Sequence, residues 1–208
     1  MSLRQERQIQ TRESLLQAAI EVFSERGYQG ATMEEIARRA GVAKGTTYLH
    51  FADKADLFYA VFEQWTGDAL AASEPALAAA GSASEQLKAL AISAVDFIQA
   101  HRQWFPLTLE VWSASGTPVL RDRFAAALGS LYAGYRSGIA SIIQTGLDRG
   151  EFREDVDAEA LAALLTGAVD GLFLQCWFDP ELEAKRLLNG FFDVLIRGMQ
   201  NPGQGDKQ

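Results

Sequence analysis

The chain is expected to be all-α, on three observations. Alternating β-branched runs are absent and alanine and leucine dominate its 208 residues. Apolar residues recur at helical spacing from end to end. Glycine, proline and acidic caps divide that pattern into nine segments. With 48% hydrophobic and 22% charged residues, the chain can bury a real core in one or two units.

The elements follow in order. Leu16, Ala19, Ile20 and Phe23 share one face of a first helix, which Gly27 ends as a C-cap. Thr32-Met33-Glu34-Glu35 reads as a capping box, with hydroxyl and carboxylate reciprocally satisfying amides at a helix start. Ile36, Ala37 and Ala40 form the inner face of that short helix, and Gly41 breaks it. A third short helix covers residues 43 to about 49. Asp53 caps a long fourth helix carrying Leu57, Phe58, Val61, Phe62 and Trp65. After a break at Gly81-Ser82-Ala83-Ser84, a fifth helix spans residues 85 to about 101 and a sixth 103 to about 113. Thr117-Pro118 is an N-cap with a first-turn proline, opening a long helix that ends at Arg149-Gly150. Asp157 starts the next helix. Asp179-Pro180 ends it and caps the last, which stops near Met199. The tail 201–208 is expected to be disordered.

Composition narrows the class. No apolar run reads as a membrane span, and the N-terminus lacks the apolar stretch of a signal peptide. One cysteine, Cys176, excludes an internal disulfide. Two histidines leave little for a metal site. No Gly-rich phosphate loop, Gly-x-Ser-x-Gly elbow or His/Cys/carboxylate cluster appears, so an enzyme is not expected. No cofactor is expected, and the cytoplasm is the expected compartment. The net charge is -8, unevenly spread. Residues 1–54 carry eight Lys/Arg against seven Asp/Glu, a balance of +1, and the rest carries −9.

Residues 32–51 have the make-up of a helix-turn-helix: two short helices, a small tight turn, and Gly41 where positive φ is needed. Ile36 and Val42 plug the core. The second helix is expected to expose Lys44, Thr46, Thr47 and Tyr48 to phosphates, base edges and thymine methyls.

Gly27-Tyr28…Ala31-Thr32-Met33-Glu34-Glu35-Ile36-Ala37, then Gly41-Val42-Ala43-Lys44-Gly45-Thr46-Thr47-Tyr48 and Phe51-Ala52-Asp53-Lys54, resemble the TetR family of repressors over residues 9 to about 65. The resemblance implies a three-helix DNA-binding head and a larger helical body for ligand binding and dimerisation. It places DNA contacts at Thr32, Met33, Ala43, Lys44, Gly45, Thr46, Thr47, Tyr48, His50 and Lys54, with Lys54 facing a phosphate from the first turn of helix four. Ala43 stands where the family favours a capping serine or threonine. Thr47 stands for the usual leucine or isoleucine, and Leu49 for a polar or aromatic residue.

The expected division is a head over 9–69 and a body over 70–200. TetR-like proteins hold a small molecule among the body helices. The aromatics here imply an apolar effector near Phe62, Phe97, His101, Phe105, Leu109, Trp112, Tyr135, Asp170, Phe173 and Trp177. Glu110, Gln144 and Gln175 are further polar candidates. Leu161, Leu164, Leu165, Ala168, Leu172, Phe191, Phe192 and Leu195 are expected at a dimer interface, where Gly167-x-x-x-Gly171 admits close helix approach. The function implied is a homodimeric repressor on a double-stranded, pseudo-palindromic operator, released by a small apolar effector. The alternative is a helical protein-interaction module with a degenerate DNA-binding head, which the head's near neutrality favours.

Overall fold

A computed structural model describes residues 2–114 and 118–201. Among the described residues there are nine α-helices: α1 (Leu3–Gly30), α2 (Met33–Arg39), α3 (Lys44–His50), α4 (Lys54–Ala79), α5 (Ala83–Ala100), α6 (Phe105–Ala114), α7 (Pro118–Asp148), α8 (Ala158–Phe178) and α9 (Ala184–Met199). A single 3₁₀ turn, Arg102–Trp104, leads into α6. The only strand-like pairing among the described residues is an isolated bridge between Phe152 and Gln200.

The caps explain most boundaries. Gly27 adopts φ 68°, ψ 170°, so regular helix breaks there as the sequence predicts. The N-terminal end was not legible: Ser2 and Gln5 form a complete capping box that starts α1 at Leu3. The Thr117 cap lies outside the described residues, as does the tail from residue 202. Asp179 closes α8 and accepts the Glu181 N–H at 3.1 Å, but α9 begins only at Ala184. The expected cap of the last helix at Asp179-Pro180 is therefore a separate turn. By length and composition α8 could cross a membrane, with mean hydropathy 1.5 in its most apolar window. The sequence expectation passed over this helix because Asp170 and two glycines interrupt the run.

The chain divides into two compact units. One takes the chain to Asp68 together with His101–Ala126; the other takes Ala69–Ala100 and the chain from Ala127 onward. Residues 101–126 thus group with the N-terminal helices.

In the first unit, Leu15, Val22 and Phe23 of α1 and Ile36, Phe51, Leu57 and Phe58 are all essentially without solvent exposure, and the rings of Phe23 and Phe58 meet with centres 4.9 Å apart. In the second, α5, α8 and α9 surround Leu87, Ile143, Phe152, Ala162, Leu165 and Phe192. Glu151 accepts the Ala83 and Ser84 amides at 2.9 and 2.8 Å, capping α5 across the fold. The end of α7 closes with Glu151 N–H on the Gly146 carbonyl and Gly150 N–H on that of Leu147, with Gly150 at φ 69°. Gly146 is required for space, since a Cβ there would overlap the Phe152 ring.

Candidate nucleic-acid interface

The turn between α2 and α3 is built by backbone geometry. Gly41 sits at φ 70°, its N–H donating to the Arg38 carbonyl while the Val42 N–H donates to that of Ala37. That pair of bonds is a Schellman closure, and it fixes the sharp angle at which α3 leaves α2. Half of the expected capping box forms at α2. Thr32 Oγ1 accepts the Glu35 N–H at 3.2 Å. The Glu35 carboxylate turns instead to Arg38, at 2.6 and 3.1 Å, with Arg26 and Arg39 close by. Arg39 grips Glu25 with both nitrogens, at 2.6 and 2.9 Å, binding α2 to α1. Hydrogen bonds from these arginines hold Glu25 and Glu35 below the ordinary glutamate range.

The outward face of α3 carries Lys44, Gly45, Tyr48 and Leu49, all exposed; Ala43 before it and Thr32 are exposed too. Thr46 and His50 are half-buried. Ala43 supplies no side-chain cap to α3. Leu49, absent from the residues expected to touch DNA, is 84% exposed, an apolar side chain held in the open on the reading helix. Such a group suits a thymine methyl.

Three expected contacts are corrected. Met33 is buried in the head core, facing away from the surface. Thr47 is 0% exposed, and its hydroxyl has no hydrogen-bond partner. It fills a core position on a helix only two turns long, so it cannot read bases without leaving that core. Lys54 is also spent internally. Its ammonium donates to the carbonyls of Tyr28 at 2.7 Å and Ala31 at 2.9 Å, with that of Gln29 at 3.5 Å, and lies 4.5 Å from the Tyr28 ring centre. It caps the carbonyls that the Gly27 break leaves without helical partners. Burial pulls it below the usual lysine range.

The ligand candidates scatter. In the first unit Phe62 and Phe105 are buried, while His101, Leu109 and Trp112 are half-buried. Phe62 lines a small apolar slot of about 10 Å³ with Phe58, Val61, Trp65, Trp104, Leu107 and Thr108. Trp65 stacks on Trp104, ring centres 6.2 Å apart. These lining residues were missed, although Trp65 follows Phe62 by three and so shares its helix face. In the second unit Phe97 and Phe173 are buried; Tyr135, Asp170 and Trp177 are half-buried. Burial raises the Asp170 carboxyl against a hydrogen bond from Tyr132 that lowers it. Burial, with Asp170 beside it, raises Tyr135. Glu110 accepts the Tyr28 N–H at 2.6 Å, Gln144 pairs with Asp148, and Gln175 donates to the Gly171 carbonyl. All three are thus held by the protein itself.

The dimer candidates split. Leu165 and Phe192 are buried in their own subunit's core and are not free to face another copy. Leu164, Ala168 and Phe191 are exposed, while Leu161, Leu172 and Leu195 are half-buried.

A profile described as the tetR family of bacterial regulatory proteins matches residues 15–61, the helix-turn-helix and its flanks. A second, described as the C-terminal part of BetI-type transcriptional repressors, matches residues 83–195, more than half of the chain. The chain belongs to the TetR family. This TetR-family regulator is 26% identical over 189 residues to the fatty acid metabolism regulator protein of Bacillus subtilis (strain 168), covering 90% of this chain and 94% of that one. It is 38% identical over 99 residues to the transcriptional activator FasR of Mycolicibacterium smegmatis, covering 48% and 45%. The crystal structure of the regulator FadR from Bacillus subtilis, in complex with stearoyl-CoA, matches with a TM-score of 0.76 at 24% identity, over 90% of this chain and 99% of that one. The protein is a DNA-binding transcriptional regulator whose head reads DNA through a helix-turn-helix.

Proposed function

We propose that this regulator is a homodimeric repressor in the bacterial cytoplasm, released from a pseudo-palindromic operator by a long-chain acyl-CoA ester. The ligand class is supported by likeness along nearly the whole chain to the fatty acid metabolism regulator of Bacillus subtilis and by the stearoyl-CoA in the crystal structure of FadR from that organism. The apolar slot lined by Phe62, Trp65, Trp104 and Leu107 supports it as a place for an acyl chain to enter. At about 10 Å³ it holds one water at most, so the effector has to open it. Opening it displaces α4 against α6, the helix whose Glu110 holds the Tyr28 amide of the head. Effector release then needs only that the opened state bind acyl-CoA better and operator worse.

The second unit supports the dimer. Leu164 and Val194 are 71% and 74% exposed, and they line a groove of about 480 Å³ between α8 and α9 with Val156, Leu161 and Leu195. A Cβ added to Gly167, Gly171 or Gly198 would meet nothing, leaving room for a partner helix. An apolar face of this kind in a single chain is what a second copy would cover. Two heads so joined would meet successive major grooves about 34–36 Å apart.

The experiment is a titration of stearoyl-CoA into the protein bound to a duplex it selects from a random pool, with coenzyme A alone as the control. Release by stearoyl-CoA and not by coenzyme A is expected. Indifference to both rejects the ligand class and leaves DNA binding standing.

A further inference from the structure

The head that reads DNA is almost neutral, yet binding to a polyanion rests on cations free to meet phosphates. The eight Lys and Arg side chains of residues 1–54 divide into two groups. Arg26, Arg38, Arg39 and Lys44 are paired with Glu35, Glu25 and Glu34, and Lys54 is bound to carbonyls. Of these eight, Arg4, Arg7 and Arg12 are in neither kind of contact, ion pair or carbonyl. All three are exposed and lie on the first turns of α1, ahead of Leu15, where the helix enters the core.

Their placement is ordered. At about 100° per residue, Arg4, Arg7, Gln8, Thr11 and Arg12 fall within an arc of about 140°. Glu6 and Glu13 lie on the opposite side of the helix. Arg12 fixes which way the basic side points, for its guanidinium lies 5.4 Å from the ring centre of Phe51, the residue that closes the reading helix α3. The Arg12 end of that basic side therefore lies beside the end of the reading helix. Ser2 and Gln5 cap this end, so the arginines stand on formed helix.

We propose that the first turns of α1 lie along the DNA backbone beside the groove entered by α3, with Arg4, Arg7 and Arg12 on its phosphates. The occupant is duplex DNA, because the surface is basic and its Arg12 end lies beside the end of the reading helix. The contact is sequence-independent and adds affinity without adding a base preference.

The test uses the full-length protein with Arg4→Gln/Arg7→Gln, and Glu6→Gln/Glu13→Gln as the opposite-face control with the same size of charge change. Binding to a short mixed-sequence duplex is measured by fluorescence anisotropy across a salt series. Each lost phosphate contact lowers the log–log salt slope by about 0.9, so the arginine variant should lose about 1.8 per bound head. At roughly 0.15 M salt that is about 30-fold weaker binding. Unchanged thermal melting of the variant, expected for exposed side chains, confirms that folding is not the cause. A wild-type slope in the arginine variant would overturn the proposal, as would equal shifts from the two faces. Failure of the wild-type protein to bind any duplex at low salt would instead overturn the reading of the head as DNA-binding.

Discussion

Replacing Thr47 with valine should stabilise the protein. Thr47 is fully buried on α3 and its hydroxyl has no hydrogen-bond partner. Burying an unpaired hydroxyl costs about 1–3 kcal/mol on protein mutational scales. Valine has nearly the same shape, so the substitution removes that cost without opening a cavity or crowding the core. Taking the lower end, a gain of about 1 kcal/mol raises the melting temperature of a chain this size by about 2–4 °C. Urea unfolding, followed by circular dichroism, should show a higher midpoint with an unchanged slope, which separates a stability change from an altered unfolded state. Operator affinity should stay at the wild-type level, because the side chain points into the core. A Thr47→Val protein no more stable than wild type would refute the unpaired-hydroxyl argument. A loss of operator affinity with stability intact would show that Thr47 reads DNA after all.

Other substitutions test the internal contacts. Lys54→Met keeps the stem and removes the ammonium from the Tyr28 and Ala31 carbonyls, which should cost about 1–3 kcal/mol in urea unfolding while leaving the salt slope of DNA binding unchanged. Gly146→Ala drives a methyl into the Phe152 ring and approaches Ala83 Cβ at 3.0 Å, so a loss of about 1–3 kcal/mol is expected by the same assay. The head should also loosen in acid. Glu25 and Glu35 have carboxyl pKa values depressed in the folded state by arginine hydrogen bonds, so their support is full above the unfolded glutamate range and lost as pH falls through the folded values. Protection of the α1 and α2 amides, taken relative to the intrinsic exchange rate at each pH, should therefore fall on acidification, and Arg39→Gln should flatten that dependence.

The helical layout was largely legible, because caps and glycines are local signals. Gly27, Gly41 and Gly150 each sit at positive φ where the pattern breaks. What escaped was set by contacts distant in sequence. The carbonyls that hold Lys54 lie 23 to 26 residues before it, so first-turn position alone suggested a phosphate ligand. A polar threonine at position 47 suggests an outward side chain. The leucine or isoleucine that the family resemblance places there was the clue to burial. Leu165 and Phe192 could not be separated from Leu164 and Phe191 by sequence, since neighbouring apolar residues on one helix serve an internal core and an external face alike. The sequence count of charge concealed the pairing that leaves Arg4, Arg7 and Arg12 available.

The central claim is that a reading helix, repeated in a two-fold dimer, holds DNA. Hydroxyl-radical footprinting of the full-length protein on a duplex it selects from a random pool tests that most directly. Two protected patches on one face, centred one helical turn or about 34–36 Å apart or a multiple of it, are predicted, and both should vanish with Tyr48→Ala/Leu49→Ala. A single unpaired patch, or protection indifferent to that double substitution, would contradict the account.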